Sequence, residues 1–285
     1  MRKHLDRYFI RYSFWVVLGF IGLSWGYILK DQPTALSELF RAENWDYLTE
    51  FLAGMAGVGE ELPAYLDPEM WQKALWLSWE TFVMSILATG IAGIAMFLLV
   101  LPSARNVAQG NFRHKTHWYH RAAYYLSRGL FLFSRSVPEL MWAMILVFIF
   151  KPGIIPGALA LAIHNFGVLG KLCGEVVEDM DEKPIRHLMQ NGASQNQILF
   201  YGIYPAVMRA FLNYILYRME NIIRATLIVG FVGASGLGMQ FKLAMSFFHY
   251  SEITLYLLCY LLLVYVTDAL SALAKKFIAE KIELF

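Results

Sequence analysis

The largely apolar segment 207–232 carries charged side chains well inside its length: Arg218, Glu220 and Arg224. At the 100° per residue of a helix, they occupy one arc of about 160° with the other polar residues of this segment. The polar residues in this arc are Tyr214, Tyr217, Arg218, Glu220, Asn221 and Arg224. A charged side chain in a membrane span costs on the order of 2.5–3.5 kcal/mol, so it normally faces protein or water. Guanidinium groups on such a face offer sites for an anion.

Two interpretations of this polar face remain open. Glu220 and Arg224 are four residues apart, so they can pair with each other on one helix. Such a pair either holds helices together or forms part of an anion pathway. Arg218 has no partner on its own helix in this arrangement, which favours a role in the pathway or a contact with another chain.

A second polar stretch interrupts the apolar run 130–150. The residues around Pro138 in this stretch are Ser134, Arg135, Ser136 and Glu139. Proline frees backbone polar groups, and these are tolerated at membrane depth only inside protein or beside a cavity. An arginine at position 135 would attract an oxyanion. The alternative is a gate, or a side chain that snorkels to the membrane surface.

The next apolar run, 157–177, contains His164 and Asn165. A histidine in such a run is most often a packing residue with a hydrogen bond, and the adjacent amide keeps a pathway role open. The candidate pathway residues are therefore Ser134, Arg135, Ser136, Glu139, His164, Asn165, Tyr217, Arg218, Glu220, Asn221 and Arg224.

The sequence does not support metal or nucleotide chemistry. His114, His117 and His120 share no acidic partner and lie among basic residues, which predicts a solvated loop or contact with lipid headgroups. The glycine-rich turn 233–238 has no strand before it and no Lys-Ser/Thr pair after it, so it is not a nucleotide loop. We expect no catalytic residues, no metal site and no cofactor in this chain.

The elements that must position these residues are membrane helices. The chain has 285 residues, 58% of them hydrophobic and 16% charged, whereas soluble domains are about a quarter charged. Six apolar runs are long enough to cross a bilayer. They cover residues 12–29, 74–101, 130–150, 157–177, 207–232 and 253–273. The sequence predicts an all-α polytopic membrane protein with about six transmembrane helices in a single domain, residues 1–285.

Charge sorting predicts the orientation of these helices. Residues 31–72 carry nine acidic side chains and one basic one, whereas residues 102–128 carry five basic side chains and no acid. Lys275 and Lys276 follow the last run. The positive-inside rule then places both termini and segment 178–205 in the cytoplasm, and the acidic loop 31–72 on the periplasmic side.

Segment 178–205 contains the signals of two short helices. Pro184 fits the first turn of one helix, and Gly192 would end it. Ser194 is an N-cap candidate for a second short helix that ends before Pro205, where the next element begins. These signals predict a helix-turn-helix elbow; a plain amphipathic connector is the alternative.

The elbow carries a recognisable spacing, because Pro205 follows Gly192 by thirteen positions. This spacing is similar to that of the EAA loop of bacterial ABC-importer permeases. More closely, residues 121–276 resemble permeases of the phosphonate-import family. The resemblance lies in segments 134–143, 192–194, 214–226 and 232–238, and in Glu175, Glu178, Asp181 and Pro184. The family's Glu-Ala core falls on Arg186 and His187, a departure that reverses the charge.

The resemblance implies an ABC-importer permease fold in the bacterial cytoplasmic (inner) membrane. It implies that the substrate is phosphonate or a related phosphorus oxyanion (phosphite, hypophosphite or phosphate), delivered by a periplasmic substrate-binding protein. ATP and Mg²⁺ would be bound by a separate cytoplasmic subunit, so this chain would be a transport subunit and not an enzyme. A second permease chain, identical or homologous, would complete a dimer, and no nucleic acid is involved.

The resemblance also assigns the contact with the ATPase subunit to the elbow. The coupling residues that it implies are Asp181, Pro184, Arg186, His187, Gly192, Ala193, Ser194 and Pro205. The reversed charge at the Glu-Ala position indicates either a dedicated ATPase partner or an asymmetric pairing with a second permease. The acidic loop would help to receive the binding protein, or would be an ordered helix without that role.

Two other classes of function remain as alternatives. An integral-membrane enzyme would use His164, Glu139 and the charges of segment 207–232, although no spacing of a metal site or a nucleophile is visible. A proton-driven secondary transporter would use Glu220 as its titrating group. Uptake that requires ATP distinguishes the importer from both.

Overall fold

The structure is a computed structural model that describes residues 2–31, 38, 40–110 and 117–282. The chain divides into two compact units, Met1–Val58 and Gly59–Phe285. The first unit contains helices α1 (Arg2–Asp31) and α2 (Ala42–Met55). Part of the acidic segment predicted as a loop is therefore helical.

The second unit consists of nine helices in the part of the chain that is described, with no strand. They are α3 (Pro68–Ser103), α4 (Arg105–Ala108), α5 (Trp118–Ser136), α6 (Glu139–Phe150), α7 (Ile154–Asp179), α8 (Lys183–Gln190), α9 (Gln195–Gly230), α10 (Leu237–Ser246) and α11 (Tyr250–Ile282). Among the described residues, five helices (α1, α3, α7, α9 and α11) are long and apolar enough to cross a membrane, and the pair α5–α6 makes a sixth if it forms one span. The prediction of about six spans in an all-α membrane protein is confirmed.

Helices α3 and α7 pack at the centre of the second unit, since small residues let their backbones approach. Ala88 and Ala92 of α3 are fully buried, as is Ala158 of α7. A Cβ atom on Gly157 would lie only 2.6 Å from the sulfur of Met84, so this contact requires glycine. Small residues at such positions are typical of helix contacts in membranes.

The chain bends by 88° between α5 and α6. Residues 130–150 therefore do not form one straight helix, and the interruption lies where Pro138 predicts it. Gly167 of α7 supports the bend: a Cβ atom there would lie 2.7 Å from the backbone nitrogen of Arg135. The close approach of α5 and α7 fixes the position at which α6 turns away.

The first helix of the elbow forms as predicted. Helix α8 begins at Lys183 with Pro184 in its first turn, and Gly192 follows its end with φ of 77°. This left-handed conformation is strained for residues with a Cβ atom. The side chain of Ile185 is fully buried and anchors α8 to the rest of the second unit.

The second predicted helix of the elbow is not a separate element, which corrects the expectation that the next element begins at Pro205. Ser194 does cap a helix, in a capping box with Gln197. The helix then runs on through a π-helical turn, Ile198–Ile203, into the rest of α9. A π turn is wider than an α turn, and this relieves the clash that the proline ring would otherwise make with the preceding turn.

Candidate functional site

Arg218 is held in the helical core by a neutral side chain. Its Nε and Nη2 groups both donate to the Oδ1 atom of Asn165 on α7, at 2.8 and 2.5 Å. Asn165 is buried, and its own Nδ2 group donates to the carbonyl of Leu161 at 2.7 Å. That second bond fixes the amide, so its oxygen must face the guanidinium. Among the described residues, Arg218 has no salt bridge.

Glu139 and His164 meet beside this pair, where the chain bends. The Nε2 atom of His164 lies 3.4 Å from a carboxylate oxygen of Glu139, and Nδ1 lies 2.9 Å from the carbonyl of Val137. A carbonyl can only accept, so Nδ1 carries the proton in this contact. His164 thereby satisfies a backbone group that the bend at Pro138 leaves outside the helix, as expected for broken backbone in a membrane.

The four side chains form one cluster, which we call the core polar cluster: Glu139, His164, Asn165 and Arg218. The carboxylate of Glu139 acts on the guanidinium of Arg218 through space, without a direct ion pair in the described part of the chain. The cluster thus contains a permanent cation, one carboxylate at a distance, and a histidine next to the carboxylate. Such an arrangement can accept a further anion at Arg218.

The other polar residues near Pro138 lie outside this cluster. The carbonyl of the buried Ser134 accepts from the indole of Trp142 at 3.1 Å, and the hydroxyl of Ser136 donates to its own helix. Arg135 is half-buried and has no hydrogen-bonding or ionic partner among the described residues; it lines a cavity between α5 and α7.

Tyr217 and Asn221 also lie outside the cluster. Tyr217 is 50% exposed, and the amide of Asn221 donates to the carbonyl of Tyr217 on the same helix. The single polar arc predicted for α9 is therefore divided between different neighbours.

The predicted pairing of Glu220 with Arg224 is wrong, because each of them binds a residue of α11 instead. Glu220 accepts from the hydroxyl of Ser271 and from the ammonium of Lys275, the latter at 2.7 Å. Arg224 binds Asp268 at 2.8 Å. Two interhelical ion pairs thus connect α9 to α11.

The α11 partners were missed in the sequence, although their spacing carries a signal. Positions 268, 271 and 275 repeat at three and four residues, which places all three polar side chains on one face of a helix. This face complements the positions of Glu220 and Arg224. A search for two matching polar faces on different helices would have found the pairs.

Arg128 and Glu178 form a second constellation that the sequence did not reveal. The Nη2 group of Arg128 donates to Glu178 at 2.6 Å, and its Nε group donates to the carbonyl of Ser103 at 3.1 Å. The same carboxylate accepts from the backbone nitrogen of Arg105. These bonds join the end of α3, the beginning of α4, the middle of α5 and the end of α7, next to the elbow.

In the elbow, the charged residues point outward. The side chain of Arg186 binds Glu182 at 2.7 Å and remains 64% exposed, and His187 is exposed as well. Asp181 accepts from the backbone nitrogen of Lys183 at 3.0 Å, and Ala193 donates to the carbonyl of Leu188. The elbow therefore presents a polar surface on the short helix α8, which the buried side chain of Ile185 anchors to the rest of the second unit.

The glycine-rich turn packs against α3, and the backbone nitrogen of Leu237 donates to the hydroxyl of Thr81 at 3.0 Å. Gly236 has φ of 92°, and a Cβ atom there would lie 2.5 Å from the hydroxyl oxygen of Thr81. Ser235 binds Glu80 at 2.5 Å. Of the three histidines near α5, His117 and His120 cap that helix and His114 lies outside the described residues.

Comparisons with known proteins identify relatives of this chain. The family described as "Binding-protein-dependent transport system inner membrane component" matches residues 117–283. The phosphite transport system permease protein PtxC of Stutzerimonas stutzeri is 30% identical over 230 residues, which cover 80% of each chain. The phosphate-import permease protein PhnE of Mycolicibacterium smegmatis is 30% identical over 198 residues, 70% of this chain and 35% of that protein.

The fold has a counterpart among solved structures. An inward-facing conformation of the MetNI methionine ABC transporter contains a chain that superimposes with a TM-score of 0.61 at 15% identity, covering 74% of this chain and 99% of that one. This likeness concerns the fold alone. Since the family match extends over more than half of the chain and agrees with the apolar helices, this multi-pass inner-membrane protein belongs to the family of binding-protein-dependent transport system inner membrane components.

Proposed function

We propose that this chain is the membrane-spanning permease subunit of an importer for phosphonate or a related phosphorus oxyanion (phosphite, hypophosphite or phosphate). Relatives named for phosphite and phosphate transport support the substrate class. The observation that carries the proposal is Arg218, a guanidinium in the core whose hydrogen-bonding partner is the neutral amide of Asn165. Its charge is therefore available to an anion that passes through.

The geometry of Arg218 suits a tetrahedral oxyanion. Asn165 accepts from only one edge of the guanidinium, so the remaining N–H groups stay free for the oxygens of a ligand. Arginine binds such groups through two parallel hydrogen bonds. In a membrane, a cation normally needs a countercharge, and the oxyanion would supply it.

Glu139 and His164 complete the proposed pathway site. In the absence of substrate, the carboxylate of Glu139 partly balances Arg218 through space. An arriving oxyanion would bind Arg218 directly and repel this carboxylate, which lies 3.4 Å from the Nε2 atom of His164. Arg218 thus has an anionic neighbour both before and after the substrate binds.

Coupling to ATP hydrolysis is assigned to the elbow, residues 178–205. A separate cytoplasmic subunit would bind ATP and Mg²⁺ and would contact the exposed face that carries Arg186 and His187. Because Ile185 anchors α8 in the core and α8 packs against the first turns of α9, a displacement of the elbow would be transmitted to the helix that carries Arg218. Such a rigid-body movement would switch the pathway between its two orientations.

Three further features belong to the proposal. Both termini and the elbow would lie in the cytoplasm, as the positive-inside rule requires. A periplasmic substrate-binding protein would deliver the anion on the other side, where segment 31–72 carries its acidic residues. A second permease chain, identical or homologous, would complete the pathway.

The test is reconstitution into liposomes with the ATPase subunit and the binding protein. Phosphite or phosphonate uptake should require ATP inside, the ATPase subunit and the binding protein together. Uptake driven by a pH gradient without ATP would contradict the proposal. Reconstitution of the ATPase subunit with an unrelated permease is the control for leakage.

A substitution at Gly192 tests the coupling role. Gly192→Val places a β-branched side chain where φ is 77°, which costs on the order of 1–2 kcal/mol and distorts the end of α8. We expect uptake per ATP hydrolysed to fall about tenfold, while the complex remains assembled. Gly129→Val, on an exposed helix surface with no atom within 4 Å of the new Cβ, is the matched control. Unchanged coupling in Gly192→Val would remove the elbow from the mechanism.

A further inference from the structure

A cavity of about 210 Å³ opens between the end of α3, the second half of α5 and the middle of α7. Its polar and aromatic lining consists of Ser103, Arg128, Phe131, Arg135, Lys171 and Glu175. Gly170 and Gly174 form part of its wall: the ring of Phe131 packs against Gly170, and the absence of a side chain at Gly174 keeps space open. A Cβ atom on Gly174 would already lie 3.2 Å from the hydroxyl of Ser103.

The cavity holds more positive than negative charge. Three of its lining side chains are cations and one, Glu175, is a carboxylate. Arg128 is engaged with Glu178 at 2.6 Å. Lys171 lies 3.7 Å from Glu175, and both side chains are about half exposed, so their attraction is weak. Arg135 has no partner in the described part of the chain, so its positive charge is not balanced by any lining side chain.

One face of α7 connects this cavity to the core polar cluster. His164, Lys171 and Glu175 are separated by seven and four residues, so they lie on the same face of the helix. From His164 to Glu175 the helix rises about 16 Å at 1.5 Å per residue. This face runs from the core polar cluster towards Glu178 and the elbow, with the apolar Val168 between His164 and Lys171.

We propose that this cavity is a second oxyanion site, in which Arg135 and Lys171 hold a tetrahedral phosphorus oxyanion between the core polar cluster and the elbow end of α7. The identity of the anion rests on the proposed function; the site itself rests on the cavity and its unbalanced charge. Arg135 supplies a two-pronged donor and Lys171 a point charge. Ser103 adds a hydroxyl at the wall, and the glycines give the anion room.

The phosphate group of an anionic lipid shares this chemistry, so the test must separate the two sources. The full-length chain is placed in nanodiscs of phosphatidylcholine, and the rate at which phenylglyoxal modifies each arginine is measured by mass spectrometry. Phosphite or methylphosphonate at ten times its Kd should slow the modification of Arg135 about tenfold. Arg121, an exposed arginine of the same helix that does not line this cavity, should react at an unchanged rate.

Two variants locate the protection. Gly174→Val fills the cavity without changing its charge and should abolish the protection of Arg135, whereas Gly129→Val on the exposed side of α5 should retain it. If Gly174→Val is not recovered as a folded protein, Lys171→Gln replaces it and should weaken the protection at least fivefold. Arg218→Gln should leave the protection of Arg135 intact, because the two sites are separate.

The outcomes distinguish a free oxyanion from the phosphate group of a lipid. Protection by phosphatidylglycerol in the nanodisc, with none by the free oxyanions, would overturn the proposal in favour of a lipid site. Equal protection in Gly174→Val, or none in the unaltered chain, would overturn it as well. If the free oxyanions protect Arg135 but reconstituted uptake fails, the result counts against the proposed function alone. If uptake occurs but the free oxyanions do not protect Arg135, the result counts against the second site alone.

Discussion

Helix α9 shows two ways of placing charge inside a membrane protein. Towards α11, Glu220 and Arg224 each have an oppositely charged partner, Lys275 at 2.7 Å and Asp268 at 2.8 Å. Towards α7, Arg218 binds, among the described residues, only the neutral oxygen of Asn165. On the α11 side each charge is paired with an opposite charge, whereas the α7 side retains a positive charge.

The difference assigns the two sides different tasks. An ion pair whose members satisfy each other has little to offer a passing anion, so the α11 side holds helices together. A cation that is oriented by an amide keeps its charge for a ligand while its position is fixed. The two interpretations that the sequence left open for the polar face of α9 therefore apply to different residues.

The largest effect is expected from Arg218→Gln. This change removes the charge while keeping a hydrogen-bond donor for Asn165. Charge-assisted hydrogen bonds contribute about 1.5–3 kcal/mol each, so phosphite uptake should fall on the order of 100-fold at unchanged assembly with the ATPase subunit. Lys242→Gln, which removes an exposed lysine of α10, should transport normally. Collapse of the complex in Arg218→Gln would make Arg218 a structural residue like Arg224.

Asn165→Asp tests the importance of a neutral partner directly. The change gives Arg218 a carboxylate at the position of the amide oxygen, so the α7 side acquires the character of the α11 side. We expect uptake to fall about tenfold because the oxyanion must now compete with a fixed counter-ion. Asn221→Asp adds the same charge on α9, where the amide only contacts its own helix, and should have little effect. Normal uptake in Asn165→Asp would contradict the different roles assigned to the α7 side and the α11 side of α9.

On the α11 side, Glu220→Gln should affect stability and leave transport unchanged. The side chains of Glu220 and Lys275 are 15% and 35% exposed, so the loss is expected at about 1–2 kcal/mol, below that of a fully buried pair. Unfolding in micelles measures it, with Lys275→Met and the double variant completing a thermodynamic cycle. Glu280→Gln breaks the exposed pair with Lys276 on the same helix and serves as the control. A loss of uptake larger than the loss of folded protein would place Glu220 in the pathway.

Periodicity and composition predicted the apolar helices, the break at Pro138 and the first helix of the elbow, which ends before Gly192. These features depend on local properties: the length of an apolar run, the missing N–H of proline and the freedom of glycine at positive φ. The same information predicted which residues of α9 are polar. It did not predict their partners, because the choice between Arg224 and Lys275 as the partner of Glu220 depends on how α9 and α11 are placed.

The core polar cluster shows the same limit. Glu139, His164, Asn165 and Arg218 were each identified in the sequence as candidate pathway residues. Their contacts, such as that of His164 with the carbonyl of Val137, arise only when α6 turns by 88° across α7. The pairing of Arg128 with Glu178 gave no signal, although Glu178 belongs to the family resemblance, because only the packing of α5 against α7 brings the two side chains together.

The smallest effect is expected for Arg224 and Asp268, whose side chains are 47% and 42% exposed. Exchange of the two charges, Arg224→Asp with Asp268→Arg, preserves the pair and reverses its direction. Each single variant should lower the stability of the helix pair by about 0.6 kcal/mol, the typical contribution of a polar contact between membrane helices, and the double variant should regain most of it. Uptake should remain near normal in the double variant, because on the α11 side only the match of charges matters. If the double variant is stable but inactive, the sign of the charge at position 224 matters for transport, and the pathway extends to the α11 side of α9.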